Sequence, residues 1–493
     1  MASSRTEIQR PFPFTDAHPK FRVRGWRRLL GKAETLAAGE MVRHFLATGE
    51  TGCGKSVSAV MRLLEAILRY PEDDLYAEYA ITAGSRAESQ ETLRPSVLIV
   101  DPKQELGSIV EREARGRKVT RLAFGEPGPV FHMFEGRDLS RMSAVEAMDM
   151  ILAQSDFYTQ DQASTREPSW GQQAADAVTG FVGIDMWLAR QGMDKVRALW
   201  DKVSETLEGD SDFKAIAPSV KYDPVNYFRP MAAMFALSSS EGGSLPIAVY
   251  LDACNDFKVP GELMLVLVSL VTLWHSTRSG VVYMANGILD ALSNAEFASC
   301  VSLNPIEPPP VASRLSLKDV VNAGDIVLYV PTLDPSSIGD MVARCLKTKF
   351  FEFAFQRDNK ARPLFYVVDE FHRFIAGGEQ DGEQSLLDRC RAYRTGAVLA
   401  TQSIASMAYR LQNEPGGGKN ALDIILNNCG NAMYFRTSDI QTQSNVQSRI
   451  PAAPVANRPH VMRVRPLASL DTGVCYALRC DGSWGLFKVH LPD

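Results

Sequence analysis

Apolar and polar positions alternate along this chain in two registers, one short and strand-like, the other helical. An apolar run opening at Val42 leads into Gly49-Glu50-Thr51-Gly52-Cys53-Gly54-Lys55-Ser56, and Ser56 to Arg69 then carries apolar residues at helical spacing. Ser96-Val97-Leu98-Ile99-Val100 is a β-branched run that stops at Asp101, and Val119 to Phe124 is a further strand before the turn Gly125-Glu126-Pro127-Gly128-Pro129. Between them, Tyr70 to Arg94 is acidic and carries Gly, Ser and Thr, which predicts an exposed connection. From Asp138 to Ser302 the period becomes helical. Helices are expected over Ala144 to Gln154, Gln172 to Arg190, Met193 to Leu207, Val225 to Leu237 (broken or kinked at Pro230), Pro246 to Phe257 and Gly261 to His275.

Strand character returns at Asp325 to Val330, and Ser336 or Ser337 is placed to cap a helix running to about Gln356. Leu364 to Val368 then ends in Asp369-Glu370, and Gly396 to Ala400 ends in Thr401-Gln402-Ser403. Ala432 to Thr437, Val474 to Leu478 and Trp484 to Val489 complete the strands. Strands that alternate with helices predict an α/β fold with a mostly parallel sheet, closed at the C-terminal edge by an antiparallel hairpin. Because strands resume after residue 302, the helical stretch reads as an all-α domain inserted into the sheet domain. The division is an arm and basic segment (1–40), the first part of the sheet domain (41–137), the insert (138–302) and the second part (303–493).

Composition changes this picture little. At 493 residues, with 45% hydrophobic and 23% charged residues, the chain is ordinary globular material for two or three domains. A net charge of -5 means that any nucleic-acid contact must use a local basic surface. One such cluster, Lys20, Arg22, Arg24, Arg27, Arg28 and Lys32 around Trp26, reads more simply as a solvated face, with phosphate or a neighbouring subunit as the other option. Eight scattered cysteines with no CxxC pair point to a reduced compartment. The first twenty residues lack the apolar core of a signal peptide or anchor, and Leu263 to Trp274 is too short to span a bilayer, so a buried helix is expected there.

The chemistry begins at the glycine-rich stretch, which has the spacing of a P-loop. Its glycines let backbone N–H groups close on a polyphosphate, and the following helix directs its positive end at the same anion. Gly49, Glu50, Thr51, Gly52, Cys53, Gly54, Lys55, Ser56 and Val57 are therefore candidate ATP-contacting residues, with Lys55 at the β- and γ-phosphates and Ser56 on Mg2+. Asp369, at the end of an apolar strand, is a candidate to orient Mg2+, and Glu370 to activate water as general base; alone, Glu370 would read as a surface carboxylate. Gln402 ends the next strand and would share the crevice, either sensing the γ-phosphate or positioning water. Arg391 and Arg394, just before Gly396, are candidates for an arginine finger acting in trans, against the plain reading of helix-surface arginines. Asp101-Pro102-Lys103 either approaches nucleotide or DNA or is simply a capped turn.

These segments together resemble the TraG/TraD family of conjugative coupling ATPases, in the FtsK/HerA superfamily of RecA-like motors. The resemblance rests on GETGCGKS, LIVDPKQEL, SWGQQA, FYVVDEFHRF, RAYRTGAVLATQS and ILNNCGNAMYFRTSD, in the family's order over nearly the whole chain. It implies a RecA-like ATP- and Mg2+-dependent DNA translocase that forms a homo-hexamer. Its implied partners are DNA, a relaxase or secreted protein, and the components of a type IV secretion channel. The scattered cysteines and the lack of an evident anchor lead instead to a cytoplasmic expectation, with recruitment to the inner membrane face as an option. Two features depart from the family: no N-terminal membrane helices are evident, and the usual DPKGE is DPKQE. Two other readings remain open, an ATP-switched receptor for secreted proteins and a HerA-like DNA-processing or defence motor.

Overall fold

The computed structural model describes residues 14–24, 26–28, 31–32, 35–154, 170–238, 246–273, 275–331, 337–376, 382–412, 419–450 and 466–489. Most of the N-terminal arm, Ser169 of the SWGQQA segment, the candidate cap Ser336 and the triple glycine at Gly416 lie outside them. The chain forms two compact units. One comprises Met1–Arg121, Leu317–Leu333 and Leu346–Asp493; the other comprises Leu122–Ser316 and Asp334–Cys345.

Among the described residues, the first unit is built on an 11-stranded sheet. In chain order its strands are β1 (Trp26–Arg28), β2 (Gly31–Lys32), β3 (Phe45–Thr48), β4 (Ser96–Val100), β5 (Val119–Ala123), β6 (Ile326–Val330), β7 (Leu364–Val368), β8 (Thr395–Thr401), β9 (Asn431–Tyr434), β10 (Val474–Leu478) and β11 (Trp484–Val489). They lie in the order β2-β1-β11-β10-β9-β3-β8-β7-β4-β6-β5. From β9 through β3, β8, β7 and β4 to β6 every neighbour is parallel. The other edge, β10, β11, β1 and β2, is antiparallel. The parallel strands β3, β4, β6, β7 and β8 are buried at every residue, which is why they read as continuous apolar runs without alternation. Their register brings the carboxyl ends of β3, β4, β7 and β8 to one edge, so the segments following Thr48, Val100, Val368 and Thr401 meet there.

Three sequence expectations are corrected. Tyr70 to Arg94 is more than the exposed connection expected: it holds a helix, Asp73–Ala83, and a short turn of helix, Gln90–Leu93. The longer helix buries only Tyr79, so it has no apolar stripe to reveal it. The basic segment is not simply a solvated face, because Arg22 pairs with Glu72 at 2.7 Å and Trp26 is buried with its indole N–H donating to the Ser58 carbonyl. Finally, the helix Gly261–Thr272 buries only Leu267 and Leu270, while Leu265 is 61% exposed. A segment apolar on all sides gives no periodicity from which its buried face can be read.

The second unit is mainly helical, with Ala144–Leu152, Trp170–Ala189, Met193–Glu208, Arg229–Leu237, Pro246–Asp256, Gly261–Thr272 and His275–Leu292. Pro230 occupies the first turn of its helix, where its missing N–H costs nothing, so of the break or kink expected there the structure shows the break, with the helix starting at Arg229. A small parallel sheet of Val130–His132, Val301–Ser302 and Arg314–Leu315 accompanies the helices. Among the described residues no single helix is long and apolar enough to cross a membrane.

The helical core contains a carboxyl group. Asp185 is fully buried among Phe181, Trp200 and Tyr250, and accepts hydrogen bonds from Trp200 Nε1 at 3.1 Å and from the hydroxyls of Tyr227 at 3.1 Å and Tyr250 at 3.4 Å. Burial pushes its pKa up to about 7, against the opposing pull of those three donors. The fold therefore holds a proton that the unfolded chain releases near pH 4, and stability is lost as pH rises through this interval, by up to about 1.4 kcal/mol per pH unit. Asp185→Asn removes this dependence. Thermal midpoints measured from pH 5 to 8 should show the variant gaining on the wild type as pH rises; parallel curves would show that Asp185 is ionised throughout.

Candidate functional site

Thr48 ends β3, and the chain turns through Gly49 to Lys55 before entering a helix that begins with a π-type turn, Ser56–Val60, and continues as Met61–Arg69. Two glycines make the turn possible. A β-carbon on Gly49 would lie 2.6 Å from Phe435 Cβ and 2.8 Å from Cys53 Sγ. Gly54 has φ +88° and packs against Gly473, whose N–H donates to the Cys53 carbonyl at 3.0 Å. Glu50 is held by Arg436 at 2.6 Å. Cys53 is buried, and burial raises its thiol pKa, so it serves as packing beneath the loop. Lys55 is buried and donates to the Gly49 carbonyl at 3.3 Å, laying its ammonium back across the loop, whereas Thr51 and Gly52 are exposed at the tip. Val57 is half-buried in the first turn of the helix.

The acidic pair arrives from β7. Ser56 Oγ donates to Asp369 Oδ2 at 2.8 Å, although the two residues are 313 positions apart. A hydroxyl and a carboxylate oxygen in contact form the hard, oxygen-only donor set that suits Mg2+. Glu370 follows in a left-handed conformation, φ +52°, which turns its carboxylate along the strand ends. Gln402 Nε2 donates to Glu370 Oε2 at 3.1 Å, and Lys103 binds Glu370 Oε1. Burial alone would raise the Glu370 pKa. The Lys103 hydrogen bond and the charges of Lys55 and Lys103 outweigh it and hold the carboxyl below its ordinary range, so Glu370 is ionised at neutral pH. His372 lies 3.6 Å from the same carboxylate and 3.3 Å from Thr401 Oγ1; burial lowers its pKa, with Glu370 pulling the other way.

The structure thus brings Lys55, Ser56, Asp369, Glu370 and Gln402 together. It does not bring Arg394. Arg391 and Arg394 precede β8, whereas Gln402 follows it, and seven strand residues separate the two ends by about 20 Å. Arg394 is buried and makes a double hydrogen bond to Glu88, at 2.7 and 2.9 Å, within its own chain. Within its own chain Arg394 is therefore a structural residue, and its guanidinium would have to leave Glu88 to act in trans. Arg391 is exposed on the turn Arg391–Tyr393.

In the DPKQE segment, Asp101 accepts the backbone N–H groups of Glu105 and Leu106 at 3.2 and 2.7 Å, which makes it the capped turn. Gln104 sits at φ +57°, the conformation a glycine adopts freely. This accounts for the glycine usual at that position in the family the sequence resembles. Lys103, left between two readings by the sequence, reaches the acidic pair. Arg436 and Gly473 carried no individual signal, since only the folded loop shows what they support.

No family model matches the chain, and no curated protein matches it. Solved structures do. The chain is similar to the bacterial conjugative coupling protein TrwBdeltaN70 in an unbound form, with a TM-score of 0.51 and 13% identity over 93% of this chain and 87% of that one. It is equally similar to the plasmid coupling protein TrwB in complex with the non-hydrolysable GTP analogue GDPNP, with a TM-score of 0.51 and 14% identity over 94% and 88%. For TrwB in complex with ADP and Mg2+ the TM-score is 0.50, at 13% identity over 93% and 88%. The likeness shows that the fold is TrwB-like, a RecA-like α/β sheet with a helical insertion.

Proposed function

We propose that this chain is an ATP-hydrolysing coupling protein that moves DNA toward a type IV secretion channel. The observation that carries the reading is the contact of Ser56 and Gln402 with the Asp369-Glu370 pair, which unites the two halves of a phosphoryl-transfer site. TrwB structures of the same fold hold a GTP analogue or ADP with Mg2+, which supports ATP and Mg2+ as the groups this site takes. Ser56 and Asp369 would hold the ion, which supplies charge neutralisation at the phosphoryl oxygens. Lys55 binds the β- and γ-phosphates, and the loop's N–H groups orient the chain of phosphates for in-line attack. Glu370 accepts a proton from the attacking water through Oε1, while the Gln402 amide, bound to Oε2, fixes the direction of that carboxylate.

Assembly as a homo-hexamer, action on a relaxase or another secreted protein, and work at the inner face of the membrane belong to the same proposal. The test is the ATPase rate without DNA, with single strands and with duplex, each at low and high salt. DNA stimulation is expected at low salt, falling by more than about tenfold as salt rises from 50 to 200 mM, because phosphate contacts release counterions. A rate indifferent to all DNA would replace DNA translocation with an ATP-switched protein receptor.

A further inference from the structure

Asp369 and Glu370 are adjacent, buried carboxylates, and such a pair needs positive charge beside it. The register that sets Val368 opposite Val100 lays the segment after β4 alongside them. Lys103, on that segment, places its ammonium 3.2 Å from Asp369 Oδ2 and in contact with Glu370 Oε1. The side chain itself is 33% exposed, whereas both carboxylates are nearly closed off. Asp369 Oδ2 is also the oxygen that accepts the Ser56 hydroxyl. One oxygen thus serves two cations, the ammonium that holds it here and the divalent ion that the Ser56–Asp369 pair suits.

We propose that Lys103 is a resident counter-cation which competes with the divalent ion for Asp369 and, when displaced, frees Glu370 Oε1 at the same moment. This rests on the ATPase reading of the site and deepens it: loading of the ion and release of the base become one event, controlled by a single lysine. A lysine suits the task better than an arginine clamp, because one point charge on a flexible stem can leave without breaking a bidentate pair.

The test is a Mn2+ titration of the full chain without nucleotide, followed by electron paramagnetic resonance. Lys103→Gln is expected to bind Mn2+ about tenfold more tightly than the wild type, because one competing unit charge is gone. Lys103→Arg, which keeps the charge and can clamp the pair, should bind Mn2+ no more tightly than the wild type, and adding Asp369→Asn to Lys103→Gln should erase the gain. Unchanged or weaker Mn2+ affinity in Lys103→Gln overturns the proposal, as does a gain that survives Asp369→Asn. A separate titration with a fluorescent ADP analogue reads the parent function. A wild-type chain that takes up no nucleotide would remove the ATPase reading, while the Mn2+ result still decides whether Lys103 competes for the carboxylate.

Discussion

Glu370→Gln will lower ATP turnover by at least about a hundredfold while leaving nucleotide on the protein, the loss appropriate to a missing general base. The amide has nearly the same shape and can still meet Gln402, 3.1 Å away, but it cannot take the proton from water. Lys55→Ala has the opposite signature. Its ammonium, buried across the loop, is the charge proposed to meet the β- and γ-phosphates, so binding and turnover should be lost together. The glutamine variant should accumulate nucleotide-bound oligomer, and the alanine variant should not. Turnover, retained fluorescent nucleotide and sedimentation measured on the same preparations check all three statements. Equal turnover in Glu370→Gln and the wild type would dismiss Glu370 as the base.

Arg394→Ala will destabilise the first unit by about 2–3 kcal/mol, because it strands Glu88 and opens a buried site. The lower end of that range reflects the partial exposure of Glu88, whose side chain is 24% accessible. Burial would raise the Glu88 pKa; contact with His18 and Arg394 reverses this and lowers it to about 2. Arg394 also donates to the Ala361 carbonyl at 2.7 Å. Denaturant midpoints measure the loss. Mixing Arg394→Ala subunits with Lys55→Ala subunits should give only the summed activities of the two, whereas restored activity in mixed rings would return Arg394 to a trans role. The same mixture made with Arg391→Ala tests the exposed arginine of the pair.

What could be read from the sequence was whatever depends on near neighbours. The P-loop is legible because its glycines, lysine and serine lie within eight residues, and Asp369-Glu370 because five buried apolar residues precede them. Gln402 was legible through the sheet, since parallel strands deliver their carboxyl ends to one edge. Lys103 and Arg394 were not, for a common reason. Their partners stand 266 and 306 residues away, and nothing in local spacing tells a lysine that meets two carboxylates from one capping a turn, or an arginine locked on Glu88 from one offered to a neighbour. The three strands of two or three residues in the helical unit escaped for want of length, and the helix after Glu72 for want of an apolar face.

The sheet order also sets a timetable for synthesis. The neighbours of β3 are β8 and β9, and His44, just before β3, meets the Leu387 carbonyl 343 residues later. A ribosome needs on the order of tens of seconds to cover that distance. During the wait the P-loop strand has left the exit tunnel with all its residues apolar or destined for burial, and with neither edge paired. The helical unit, encoded in between, has its own core of Phe181, Trp200, Phe235 and Tyr250 and can close while the sheet is still incomplete. A newly made chain therefore carries an unpaired β3 until β8 emerges, and the site proposed for nucleotide is complete only once Gln402 has followed.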